Sequence, residues 1–234
     1  LRVIGLWQGW GEVAAAFAAF FASHALPGQP RLKARVVAVL GWGGYGVGFS
    51  ILSIALLYWL IVATGRAPYV ELGAAAAWQR WLVNIVMLPV IVIGCYGVGA
   101  ANPFAFEGRS AGFDPQRPGI AGLTRQPLLW ALLLWSLAHL LANGDLAHAL
   151  MFGAFAVLAL AGFALVERRR QREMGSAEWA RLSARTALVP FAALLAGRWR
   201  PTALPSARRG ALALFIWGVL LWLHPLVIGL SALP

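Results

Sequence analysis

The chain has 234 residues, of which 61% are hydrophobic and only 12% charged, with a formal net charge of +11. A soluble domain runs nearer half apolar and a quarter charged, so this composition excludes an ordinary soluble enzyme; the glycines follow no triplet period, which excludes collagen, and the absence of strict alternation excludes a transmembrane barrel. The basic residues fall in the gaps between apolar runs rather than along a soluble face, which excludes nucleic acid as the partner and leaves the lipid bilayer.

In chain order, the opening stretch LRVIGLWQGW lacks the basic start and the cleavage site of a signal peptide. Six apolar runs follow, to be set against the roughly 20 residues that cross about 30 Å of hydrocarbon. They are Trp10 to Leu26, Val39 to Ala63, Trp81 to Ala101, Leu128 to Ala142, Leu146 to Val166 and Ala211 to Leu230. Pro27, Gly65, Pro103, Pro127 and Pro205 fall between them, where helix breakers belong. The expected fold class is all-α: a polytopic membrane bundle of six transmembrane helices, forming a single membrane domain over residues 1–234.

Charge sets the expected orientation. The first connection carries Arg31, Lys33 and Arg35, the third carries Arg109, Arg117 and Arg125, and the fifth, residues 168–209, carries ten arginines. These three hold sixteen of the nineteen basic residues, and the opposite side holds only Arg2, Arg66 and Arg80. The positive-inside rule then puts the basic connections in the cytoplasm and both termini on the non-cytoplasmic side, as in a multi-pass protein of a bacterial inner membrane. Trp7, Trp10, Trp78, Trp81 and Trp130 fall near the predicted interfaces, whereas Trp42, Trp135 and Trp217 fall deeper and are expected to pack.

Within the basic cytoplasmic loop at 168–209, the composition of Ser176 to Ala187 predicts a helix with Trp179, Leu182 and Leu188 on an apolar side, lying on the anionic leaflet. The alternative is a solvated linker. No glycine-rich phosphate loop is present. In GWGGYGVG, Gly44 and Gly48 stand one turn apart, a spacing that suits packing against another helix or, alternatively, a flat cofactor on a bare helix face. Cys95 is the only cysteine, so neither an internal disulfide nor a cysteine-based zinc or iron–sulfur site can form.

The chemistry lies in four histidines, His24, His139, His148 and His224, each in or at the end of a span. Ionisable residues in spans tend to face the bundle interior and mark function. His148 sits one turn past Asp145 and reads as an interface residue; Asn143, Gly144 and Asp145 read as a turn, with Asn or Gly ending one helix and Asp capping the next. Asn143 is also one turn from His139 and within reach of a hydrogen bond to it. Met87, Met151 and Met174 do not cluster as a copper site would require, there is no HExxH-like zinc spacing, and no nucleophile elbow is present. Haem b needs only one or two axial histidines from separate helices, and its propionates suit arginines. The residues alone leave haem ligation, a proton relay and plain packing open.

The motifs carry a resemblance. SLAH (Ser136 to His139) with LANGDLAHALMFG (Leu141 to Gly153) resembles the central signature of the NnrU family, FFASHAL (Phe20 to Leu26) its first-helix motif, and LHPLVIGLSALP (Leu223 to Pro234) its C-terminal end. The family comprises integral membrane proteins associated with bacterial denitrification and nitric oxide metabolism, and includes plant zeta-carotene isomerase, which contains haem b. The resemblance implies haem b held by His24 and His139, with nitric oxide or nitrite metabolism as the leading function. Carotenoid cis–trans isomerisation is the alternative, and a non-catalytic scaffold or assembly role the third. It implies an apolar polyene or a diatomic gas as partner. Where the family often has His-Pro before the fourth helix, this chain has Gln126-Pro127. Distances along the helices introduce a rival: His139 and His224 lie fourteen and fifteen residues past Arg125 and Arg209, about 21–22 Å in, but His24 lies only about 10 Å from Arg31. His224 is therefore the competing second ligand.

Overall fold

The computed structural model describes residues 2–25, 29–74, 76–106 and 108–234, with the side chains of residues 2–8 and 30 outside that description. Pro27 and the indole of Trp7 therefore lie outside the described residues. The apolar runs become helices: α1 (Arg2–Ala25), α2 (Pro30–Arg66), α3 (Ala77–Gly97), the one-turn α4 (Ile120–Leu123), α5 (Pro127–Ala142), α6 (Leu146–Met174), α7 (Ser176–Ser183), the one-turn α8 (Ala192–Leu195) and α9 (Ala207–Ile228). No strand forms among the described residues; two isolated bridges, Glu71 with Asp145 and Asn102 with Arg109, are the only extended pairings there. The protein is an all-α membrane protein. Among the described residues, α2 from Arg31, α3, α6 and α9 are long and apolar enough to cross a bilayer, and α5 is apolar but shorter, at 16 residues.

The chain divides into two units, one of Leu1–Gly73 with Asp145–Met151, the other of Ala74–Gly144 with Phe152–Pro234. In the first, Val13, Ala16 and Phe20 share one face of α1 and are buried, as are Leu60 and Ala63 on α2. Glu12 accepts a hydrogen bond from Trp59 Nε1 at 3.3 Å and pairs with Arg66 at 3.6 Å. Thr64, also buried, donates its hydroxyl to Met151 Sδ at 3.4 Å.

Three expectations fail in this unit. The basic trio Arg31, Lys33 and Arg35 belongs to the first part of α2, not to a loop, because the helix break comes later, at Gly41 (φ 69°, ψ 171°), a conformation that a Cβ makes costly. Trp42 follows that break and is 69% exposed, with Lys33 Nζ 5.2 Å from its ring centroid, so it does not pack. Gly44 and Gly48 are exposed, and a Cβ at Gly48 would meet nothing within 4 Å; no second helix packs on them among the described residues.

The second unit holds α3, α5, α9 and most of α6. Between helices in lipid the driving force is close packing rather than water exclusion, and small residues supply it. Ala156 and Ala159 are buried on α6 against Leu133, with Leu129, Trp130 and Leu188 around them. A Cβ on Gly162, one turn further, would stand 3.0 Å from Leu129, and one on Gly97 would stand 2.9 Å from the Pro127 ring. Asn84 of α3 is buried and donates to the carbonyls of Arg80 (3.0 Å) and Ala232 (2.7 Å), which ties the C-terminal segment to α3. Arg209 caps the end of α3, donating to Tyr96 O at 2.7 Å, and Tyr96 donates its hydroxyl to Ser206 O at 2.6 Å.

The basic connection is ordered protein. α6 runs on through the charged sequence to Met174, since Glu, Arg and Gln are good helix formers. The expected amphipathic helix is present as α7, but Trp179 packs edge-on against the buried Phe104 at 5.2 Å instead of facing lipid, and Leu188 joins the α5–α6 core. The segment is therefore neither a solvated linker nor a helix spread on the leaflet by this face. It docks through two main-chain bonds, Arg125 N to Ala187 O (2.7 Å) and Phe191 N to Leu123 O (3.1 Å), and through the indole Trp130 Nε1 to Leu188 O (2.9 Å). Thr124, Gln126 and Thr186 are fully buried in this region; Thr124 donates to Leu188 O, and Gln126 Nε2 to Phe104 O. Gln126 thus has a structural partner. Gly122 lies against Trp199: a Cβ there would come within 2.4 Å of the indole. Gly122→Ala is expected to cost about 1–3 kcal/mol through overpacking, read as a lowered thermal midpoint in detergent.

Candidate functional site

His24 occupies the last turn of α1. Its Nδ1 lies 2.8 Å from Phe20 O, one turn back, and 3.2 Å from Ser23 Oγ, whose own hydroxyl donates to Phe20 O at 2.7 Å. The imidazole stacks on the Phe20 ring at 4.1 Å and meets the edge of Phe49 of α2 at 5.3 Å. A carbonyl only accepts, so Nδ1 carries a proton and donates it.

His139 repeats this arrangement on α5. Its Nδ1 donates to Trp135 O at 2.9 Å, and its ring sits 5.6 Å from Trp135 and 5.0 Å from Phe152. Trp135 packs on Phe152 and Phe155, as expected of a deep tryptophan. Asn143 bonds to the main chain of His139, not to the ring: its Nδ2 donates to His139 O at 2.8 Å and its main-chain N–H at 3.0 Å. Asn143 therefore closes α5. Gln79 of α3 donates to Leu141 O at 2.9 Å and satisfies another terminal carbonyl of that helix.

His224 lies just before Pro225, which α9 accommodates before ending at Gly229 (φ 82°). The reversed chain brings Leu230 O within 2.7 Å of His224 Nδ1. The turn at Asp145 is a cap, as its spacing predicts: Oδ1 accepts from His148 N at 3.1 Å. Its other oxygen accepts from His148 Nδ1 at 2.7 Å, a pairing the sequence reading missed and which the i, i+3 spacing signals.

In all four rings Nδ1 thus lies against an oxygen, 2.7 to 2.9 Å away. Fixing the tautomer and ring orientation through the other nitrogen is how proteins prepare a histidine for a metal. Among the described residues no group of three or more His, Cys, Asp or Glu converges, so the donors do not form an all-protein metal cage. A porphyrin iron asks for less, one or two neutral imidazoles, and the donor chemistry of His24, His139 and His224 fits it. His24 belongs to the first unit, His139 and His224 to the second.

A sequence model of the NnrU protein family matches residues 12–232. The chain belongs to the NnrU family. That match includes every histidine of this NnrU chain, the motifs FFASHAL and LANGDLAHALMFG whole, and LHPLVIGLSALP as far as Ala232. No curated protein and no solved structure matches it.

Proposed function

We propose that this NnrU-family chain crosses a bacterial inner membrane six times, through α1, α2, α3, α5, α6 and α9, with both termini on the non-cytoplasmic side. In this reading it holds haem b with His24 and His139 and serves nitric oxide or nitrite metabolism. The observation that supports it is the shared holding of the imidazoles, Nδ1 on Phe20 O in one case and on Trp135 O in the other, an arrangement in which an iron would be met through Nε2. The bare stretch of α2 at Gly46 and Gly48, beside the Phe49 that His24 touches, supports room for a flat ring. His224 is the rival to His24. When bound, the haem would supply redox chemistry or a binding site for a diatomic gas; the protein's part is to hold the ring nitrogens in their tautomers and keep the site apolar.

The test is the spectrum of the dithionite-reduced protein before and after nitric oxide. A shifted Soret band is expected. An unchanged band in haem-loaded protein rules out gas binding as its role. The second reading, isomerisation of a polyene, draws on the same open glycine face as an apolar groove. Incubation with cis-zeta-carotene under reducing conditions separates the two, since unchanged isomer composition with haem retained rejects it.

A further inference from the structure

The charged end of α6 contains two kinds of arginine. Arg169 and Arg170 both grip Glu173, each at 2.7 Å, and Arg170 also donates to the carbonyls of Ala105 and Phe106. Glu167 is taken by Arg125. Arg168 and Arg172, one turn apart on the same side of α6, are exposed and make no ion pair or side-chain hydrogen bond among the described residues. Together with Gln171, Gly175 and Ser176 they line a shallow, open cleft of about 410 Å³. Gly175 forms its elbow: with φ 80° and ψ 158° it turns the chain from α6 into α7 and brings Ser176 to the cleft wall.

The nearby carboxylates are committed elsewhere. Glu178 pairs with Arg181 at 2.7 Å, and the hydrogen bond from Arg181 holds its carboxyl below the usual range. The charge on Arg168 and Arg172 is therefore not cancelled locally. Their depth is also informative. The apolar part of α6, Leu146 to Val166, spans roughly 30 Å at 1.5 Å per residue, the thickness of the hydrocarbon. Arg168 then lies about 3 Å and Arg172 about 9 Å beyond it, bracketing a headgroup layer roughly 5–8 Å deep.

We propose that this cleft is a binding site for the phosphate of an anionic lipid, with the guanidinium groups of Arg168 and Arg172 as charged donors and the Ser176 hydroxyl as a neutral one. A guanidinium fork matches phosphate oxygens, and a basic pocket at the headgroup level selects anionic over zwitterionic lipid. The site is independent of any haem.

The experiment is native mass spectrometry of the full chain in neutral detergent, titrated with phosphatidylglycerol, phosphatidylcholine or inorganic phosphate. One saturable phosphatidylglycerol adduct is expected, and R168Q/R172Q should bind it roughly 25-fold more weakly, about fivefold per arginine. R185Q/R200Q, which removes two other exposed arginines without a protein partner among the described residues, should keep wild-type affinity. Unchanged affinity in R168Q/R172Q overturns the proposal, as does an equal loss in R185Q/R200Q. Equal binding of phosphatidylcholine, or displacement by equimolar inorganic phosphate, also overturns it, the latter by making the ligand a soluble anion.

Discussion

Glu167→Ala is expected to destabilise the protein by about 3 kcal/mol, the lower end for removing one partner of a buried pair. Arg125 holds Glu167 through two parallel bonds, Nε to Oε1 at 2.8 Å and Nη2 to Oε2 at 2.7 Å, with the two side chains only 15% and 18% exposed. The same guanidinium donates to Thr186 Oγ1 at 3.2 Å and lies 5.5 Å from the Trp179 ring. Without the carboxylate, a charge stays half-buried with no counterion, and the cost falls on every segment that Arg125 joins: α6, the 184–188 segment and α7. For a chain of this size the thermal midpoint in detergent should fall by roughly 10 °C. The double variant Arg125→Met/Glu167→Met should be less affected than Glu167→Ala, because it removes the charge that the single variant strands. A midpoint within a degree or so of wild type in Glu167→Ala would place the pair in free solvent.

On the proposed haem ligation, the second large effect concerns the iron. His139→Ala should abolish haem retention, because it deletes the Nε2 that the bond to Trp135 O prepares. His148→Ala is the control. Its ring is held by Asp145, so the variant loses that contact but should keep the haem. His24→Ala and His224→Ala decide the second ligand: the true ligand, once removed, leaves a five-coordinate spectrum or none, and the other leaves it unchanged. Added imidazole should restore part of the Soret band in His139→Ala if the loss is of a ligand, and should restore nothing if the fold has failed.

Local features of this structure were legible in the sequence, and those depending on distant partners were not. The Asp145 cap and the Asn143 helix end follow from spacings of three and four residues. The apolar runs follow from hydropathy, although α6 outran its apolar part because arginine and glutamate do not end a helix. Gly41 showed no signal of a break, since glycine is compatible with both a helix and its interruption. The buried polar cluster was invisible for a different reason. Asn102 donates to Arg125 O across 23 residues of sequence and Thr124 to Leu188 O across 64, and nothing in either neighbourhood names the other. Asn84 did carry a signal, an amide inside an apolar span, but its partner, Ala232 O, is more remote still, 148 residues away. For the candidate site, the sequence identifies the histidines; the carbonyl bonds that fix their tautomers are visible only once the helices are in place.

The pyridine haemochrome content of wild-type protein purified from haem-replete cells bears on all of this most directly. Ligation by two imidazoles predicts about one haem b per chain, with a Soret band that sharpens on reduction. A colourless preparation, folded and monodisperse but free of haem, would contradict it.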